Sequence, residues 1–180
     1  MFVTLTLSSY GRVRADDSTP LDPGSYDYTR AARDAIHFAK LIDRFTQNLR
    51  RVAGYELQYF ATVEPQKRLA PHAHFAIRGT LPRALVRQVI EATYHQVWWP
   101  STDVPVFTDP ARLPEYVADR GDGQPGYVDP TTGEVLPSWD DALDAIGEDD
   151  EPAHVIRAGR QADSKGVLAG TPEANRLIGY

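Results

Sequence analysis

The sequence predicts an α+β domain, a central antiparallel β-sheet with helices packed on one face, and three observations carry that expectation. Several short stretches alternate apolar and polar residues with period two, the pattern of strands buried on one side. Two longer stretches repeat their apolar residues at helical spacing instead. The two kinds follow one another in an order that needs helices to cover only one sheet face.

The first strand is Phe2 to Leu7, with Val3, Leu5 and Leu7 on one face and Phe2, Thr4 and Thr6 on the other. A polar loop containing Pro20, Pro23 and Gly24 follows. From Tyr28 to Ala53 the spacing of Ala35, Phe38, Ile42, Phe45, Leu49 and Val52 predicts a long amphipathic helix, which Gly54 stops. Tyr55 to Glu64 reads as a second strand, with Leu57, Tyr59, Ala61 and Val63 facing one way and Glu56, Gln58, Phe60, Thr62 and Glu64 the other. From His72 to Arg78 a third strand sets Ala73, Phe75 and Ile77 against His72, His74, Ala76 and Arg78. Pro82 then opens a helix carrying Leu85, Val86, Val89, Ile90, Tyr94 and Val97, expected to end before Trp98 to Pro100.

Beyond that point the composition shifts. Residues 101–152 are rich in Pro, Gly and Asp and read as an acidic insertion, with a turn at Asp129 to Glu134 and a short helix begun by Ser138 with Asp141 three residues on. Ala153 to Gly159 is expected as a strand, and Thr171 followed by Pro172 starts a final helix that is cut short at Tyr180. By length, residues 1–180 are expected to form a single domain.

Composition narrows the chemistry. With no cysteine among 180 residues, disulfides and thiolate metal sites are excluded, so a metal would need histidine and carboxylate ligands; this suits a reducing cytoplasm. No segment approaches about 20 consecutive apolar residues, and the first residues lack a basic start and apolar run, so neither a membrane span nor a signal peptide is expected. The net charge of −6 disfavours a nucleic-acid partner until its distribution is considered. Residues 1–100 carry thirteen basic and nine acidic residues, a net of +4, against six and sixteen, a net of −10, in residues 101–180. Arg30, Arg33, Lys40, Arg44, Arg50 and Arg51 fall on the long helix, where they could track phosphates or simply solvate its surface.

The most informative segment is Pro71 to Gly79. His72 and His74 lie two residues apart on a strand and point the same way, so together they could grip one metal. Strand histidines are also common without a ligand role, and Glu64 is what sharpens the reading. It ends the preceding strand on the polar face, and a short connection would bring it beside both rings. Two imidazoles and one carboxylate leave coordination positions open for water and phosphate oxygens, the arrangement that phosphoryl transfer requires. His37, His95 and His154 read as structural or surface histidines. Trp98 and Trp99 could stack on unpaired bases, but their position after an apolar helix and before Pro100 favours core and lid roles.

Together these features resemble the HUH endonuclease superfamily, and within it the replication initiators of actinobacterial rolling-circle plasmids and integrative elements. The resemblance extends over nearly the whole chain. It rests on FVTLTLSSYGRVR near the start, YFATVEPQKRLAPHAHFAIRG and ATYHQVWWP in the middle, and GYVDP, PSWDDALDA and GVLAGTPEANRLIGY toward the end. It implies a ferredoxin- or RRM-like sheet with helices on one side, Mg²⁺ or Mn²⁺ held by Glu64, His72 and His74, and a helix-borne tyrosine nucleophile, for which Tyr180 is the matching candidate. Single-stranded or locally melted origin DNA is the implied partner, with Arg78 and the helix cations as candidate contacts and host replication proteins as further partners.

Two departures stand out. The residue between the motif histidines is usually bulky and hydrophobic but here is Ala73. The family's tyrosine is often followed by a lysine, whereas this sequence stops at Tyr180, so the nucleophile could also lie further along a longer chain. Two other roles stay open at this stage: an origin-binding fragment that does not cut, and a relaxase or transposase sharing the same chemistry.

Overall fold

The structure, a computed structural model, describes residues 1–100, 105–159, 163–166, 171–172 and 176. Its chain divides into two units, Met1–His95 with Val155–Tyr180, and Gln96–His154.

The first unit is built on a four-stranded antiparallel sheet in the order β2-β3-β1-β8, formed by β1 (Phe2–Thr6), β2 (Tyr59–Pro65), β3 (Pro71–Ile77) and β8 (Asp163–Lys165). Period-two alternation divides the residues of β1 and β3 between two environments. Val3, Leu5, Ala73, Phe75 and Ile77 are buried, whereas Phe2, Thr4, His72 and His74 are half-buried on the opposite face and Ala76 is exposed. The expected α+β architecture is therefore present, with one sheet face dry and the other open.

Two helices cover the dry face. Helix α1 (Tyr28–Ala53) starts where the Asp27 side chain accepts from the Arg30 N–H, and ends at Gly54, whose φ of 70° is the left-handed conformation that glycine adopts most readily. Phe38, Leu41, Phe45 and Leu49 join the sheet residues in one core, and Phe45 meets Phe75 edge-on with ring centroids 5.2 Å apart. Helix α2 (Arg83–Ala92) adds Val86, Val89 and Ile90 to the same core.

The buried stripe of α1 is turned by about one residue from the expected one. Asp34, Leu41 and Thr46 lie inside, while Ala35 and Val52 are exposed. The reason is a polar contact: the buried Tyr10 hydroxyl donates to the Asp34 carboxylate at 2.9 Å, and the Arg30 guanidinium lies 4.9 Å from the Tyr10 ring. Burial, and then the Asp34 charge, push the Tyr10 hydroxyl well above the ordinary tyrosine range. A pKa raised in the folded state favours the neutral form. The stabilisation is complete below the unfolded value of about 10 and is lost as pH rises through the folded one. Tyr10→Phe is expected to cost about 1–3 kcal/mol at neutral pH. The gap between variant and parent should shrink in strong alkali, which denaturation curves across the alkaline range would measure.

Helix α2 is shorter than its apolar spacing predicts. It ends at Ala92, and the next residues form β4 (Tyr94–Val97), which pairs with β7 (His154–Arg157) in a two-stranded sheet. Thr93 makes the break. Its φ and ψ of −92° and 122° are extended, its hydroxyl donates to the Val89 carbonyl at 2.6 Å, and it accepts from the Asn48 amide at 3.1 Å. Strand β2 likewise begins at Tyr59, four residues later than expected.

In the second unit, β5 (Glu115–Val117) and β6 (Gly126–Val128) form a hairpin in which Tyr116 faces Tyr127. The turn at 129–134 is present: the Asp129 carboxylate accepts from the Thr131 and Thr132 N–H groups, and Gly133 has a φ of 71°. Ser138 and Asp141 form the expected capping box at the start of α3 (Trp139–Asp144). Trp98 is 43% exposed, which removes it from the core. Of the anticipated final helix, Pro172 and Arg176 are described and are helical; Tyr180 lies outside the described residues.

Candidate metal centre

Strand register brings the three candidate ligands together. Glu64 on the edge strand β2 stands directly opposite His72 on β3, and Thr62 stands opposite His74. The intervening loop is closed by hydrogen bonds from Gln66 N–H to the Ala70 carbonyl and from Leu69 N–H to the Gln66 carbonyl. This tight return holds Glu64 in register with the ring that follows eight residues later. Ala73, between the histidines, faces the core and is fully buried.

The carboxylate bridges both rings. Glu64 Oε1 lies 2.8 Å from His72 Nε2 and 3.0 Å from His74 Nε2, with the ring centroids 4.5 Å apart. Hydrogen bonds from His72, and then from His74, hold the Glu64 carboxyl below the ordinary glutamate range. The Glu64 side chain is 48% exposed against 13% and 20% for the two histidines, so the cluster is anchored in the sheet and open on its solvent side.

These donors fit a divalent cation. One atom from each of the three side chains lies within 4.8 Å of the other two. For a small cation about 2.1 Å from each ligand, adjacent octahedral positions are about 3.0 Å apart. The two carboxylate-to-imidazole distances, 2.8 and 3.0 Å, are close to that edge, as they are to ordinary hydrogen bonds. Among the described residues no other group of three or more His, Asp or Glu side chains converges in this way. His37 and His95 instead have their ring centroids 5.9 Å apart, away from the cluster's ligand set.

The model of the family described as "Replication initiator protein, pSAM2" (RepSA) matches residues 4–180. The chain belongs to this replication initiator family. No curated protein and no solved structure matches it.

The basic residues considered as DNA contacts lie in two places. Arg78 lies four residues after His74, just beyond β3, and its guanidinium donates to Gln58 Oε1 at 2.8 Å. Arg30, Arg33, Lys40, Arg44, Arg50 and Arg51 belong to α1, the helix that covers the opposite, buried face of the sheet. Arg30 ion-pairs with Asp27 at 3.6 Å and donates to the Ser9 carbonyl, Arg50 lies 5.8 Å from the Tyr59 ring, and Arg51 donates to Asn48. Lys40 and Arg44 are exposed and Arg33 is half-buried. The structure thus brings Glu64, His72 and His74 together and does not bring the α1 cations to them. No helix among the described residues is long and apolar enough to cross a membrane.

Two side chains that the sequence did not single out hold the rings from behind. Thr4 Oγ1 is 3.0 Å from His74 Nδ1, and Gln66 Nε2 is 3.1 Å from His72 Nδ1, with Gln66 Oε1 accepting from Arg68 Nε at 2.6 Å. A hydroxyl can donate or accept, so Thr4 serves His74 in either tautomer, including the one that leaves Nε2 free to ligate. Removing that partner while keeping a strand-favouring side chain isolates its effect. Thr4→Val is expected to lower Mn²⁺ affinity by about 10–100-fold, with Thr4→Ser restoring most of it, in a calorimetric titration. Equal affinities in all three proteins would show that Thr4 does not orient the ligand.

Proposed function

We propose that this initiator is an HUH-type endonuclease that nicks one strand of a plasmid or integrative-element origin and joins itself to the cut end through a tyrosine. The observation that carries the reading is the convergence of Glu64 Oε1 on His72 Nε2 and His74 Nε2 at 2.8 and 3.0 Å, on the open face of the sheet, in a chain of the replication initiator family.

The chemistry demands such a cluster. A phosphodiester is anionic and repels nucleophiles, so cleavage needs positive charge against its nonbridging oxygens. A bound Mg²⁺ or Mn²⁺ supplies that charge and polarises phosphorus. His72 and His74 would hold the cation from a rigid strand, and Glu64 would add a negative ligand while leaving the solvent side free for DNA. Tyr180 is the proposed nucleophile. Its oxygen bonds to phosphorus, the bond from phosphorus to the 3′-oxygen breaks, and the leaving oxygen takes a proton to become a 3′-hydroxyl. The tyrosine proton passes to solvent, and the 5′-phosphate stays on the protein. The ester so formed conserves the bond for rejoining, while the free 3′-hydroxyl serves as a primer.

The substrate in this reading is single-stranded or locally melted origin DNA in the cytoplasm, met alongside host replication proteins, with Arg78 and the α1 cations as phosphate contacts. Residues 101–152 are proposed as an acidic insertion in one nuclease domain. The test is incubation of the initiator with end-labelled single-stranded origin oligonucleotide. With Mn²⁺ a protein–DNA adduct should survive a denaturing gel, and with excess EDTA it should be absent. An adduct formed equally well in EDTA would dismiss the metal's role, and free nicked product without adduct would dismiss the tyrosine.

A further inference from the structure

The open sheet face continues past the histidines into an apolar strip whose composition the metal cluster does not explain. In the register of β2, β3 and β1, one row carries Thr62, His74 and Thr4, and the next carries Phe60, Ala76 and Phe2, with Lys165 of β8 paired to Phe2. Phe60 is 69% exposed and Ala76 is exposed, so this row faces solvent. The Phe2 ring stacks on His74, with centroids 5.5 Å apart and planes 26° from parallel. An exposed phenylalanine on an edge strand is an association hazard that folded proteins usually avoid, and here it lies beside the proposed metal centre.

The dimensions suit a flat ring. Phe60 and Phe2 stand on strands either side of β3, about 9.5 Å apart at two interstrand spacings. Ala76 between them contributes only a methyl group. That backbone spacing leaves room over Ala76 for a planar group to lie about 3.5–4 Å from the exposed Phe60 ring. Along β3, Ala76 is two residues, or about 6.8 Å, from His74, within the reach of one nucleotide. Beyond it lies a cleft of about 370 Å³ lined by Tyr55, Glu56, Gln58, Arg78 and Gly79, which places a guanidinium past the strip. The histidines, Ala76 and Arg78 therefore follow one another along β3 and just past its end.

We infer that the row of Phe60, Ala76 and Phe2 seats an unpaired nucleobase of the substrate strand next to the phosphate at Glu64, His72 and His74, with the following backbone directed to Arg78. The inference rests on the proposed endonuclease reading for its substrate. It adds a base-binding subsite to it. Stacking on an aromatic ring is available to every base, so the seat positions the strand without reading its sequence.

The test is made in EDTA, so that the result does not depend on any metal. A short fluorescein-labelled oligothymidylate is titrated into the 180-residue chain and its Phe60 variants, with fluorescence anisotropy as the readout. Phe60→Ala is expected to weaken binding by about tenfold to a hundredfold, the loss of one aromatic stack, while the salt dependence keeps its slope because no phosphate contact is removed. Phe60→Trp should bind at least as tightly, with its added indole fluorescence quenched by the oligonucleotide. This second variant keeps the test decisive if Phe60→Ala folds poorly. Unchanged affinity in Phe60→Ala overturns the inference, as does an unquenched indole. Loss of self-association in Phe60→Ala without loss of DNA affinity would assign the strip to a second copy of the chain and overturn it too. Mn²⁺ calorimetry on the same variants separates the two ideas: failure of the base seat leaves metal affinity intact, and failure of the metal reading leaves the stacking result intact.

Discussion

A His72→Ala/His74→Ala double variant is expected to keep its fold and lose strand cleavage. Both rings lie on the open face, and the strand that carries them is anchored by Ala73, Phe75 and Ile77 on the other side. The substitutions therefore leave the core in place and remove a ring contact with Phe2, a modest cost. Catalysis should suffer far more. Charge stabilisation by a metal is worth several kcal/mol in the transition state, and each 1.4 kcal/mol is tenfold in rate. Cleavage of labelled single-stranded origin DNA should fall by at least about 10³-fold, while thermal unfolding stays cooperative and close to that of the parent. Cleavage within tenfold of the parent would sink the assignment of these histidines.

The second large effect concerns Tyr180. Tyr180→Phe keeps the ring and removes only the hydroxyl, so any change reports the proposed nucleophile. The covalent adduct is expected to fall by at least about 10³-fold, with Mn²⁺ affinity and oligonucleotide binding unaltered, because removing a nucleophile removes the covalent step and not the site around it. A denaturing gel reads the adduct directly, and mass spectrometry of the digested adduct identifies the modified residue. An undiminished adduct carried on another tyrosine would exclude Tyr180.

How far the sequence revealed this molecule depended on what each element packs against. Strands β1 and β3 were legible because they are inner strands with one face on the core, so Val3, Leu5, Ala73 and Phe75 alternate cleanly with Thr4, His72 and His74. Edge strand β2 was less so. Val63 is 56% exposed although it has the parity of a core position, and residues 55–58 alternate like a strand but lie outside β2, with Gln58 alone of them accepting a backbone bond, from Arg78 N–H, at its edge. The α2 boundary was missed because Tyr94 and Val97 continue the helical spacing of α2, and the deciding hydrogen bond from Thr93 to Val89 is local side-chain chemistry that periodicity does not register.

The candidate site shows the same division. Glu64, His72 and His74 could be read from strand parity and a short connection. Thr4 and Gln66 could not, because Thr4 is seventy residues from His74 in sequence and becomes its neighbour only through the pairing of β1 with β3. The strip of Phe60, Ala76 and Phe2 likewise depends on the register of three strands. The α1 cations were read correctly as helical and basic, but the packing of α1 on the buried sheet face is a tertiary fact that their spacing does not contain.

The claim on which the proposed mechanism depends is that Glu64, His72 and His74 form one divalent-metal site. Calorimetric titration of Mn²⁺ into the parent chain and the His72→Ala/His74→Ala double variant tests it without DNA, nucleophile or origin sequence. The parent is expected to bind one ion per chain, and the double variant to show no saturable binding over the same range. Equal affinity and stoichiometry in the two proteins would contradict the claim.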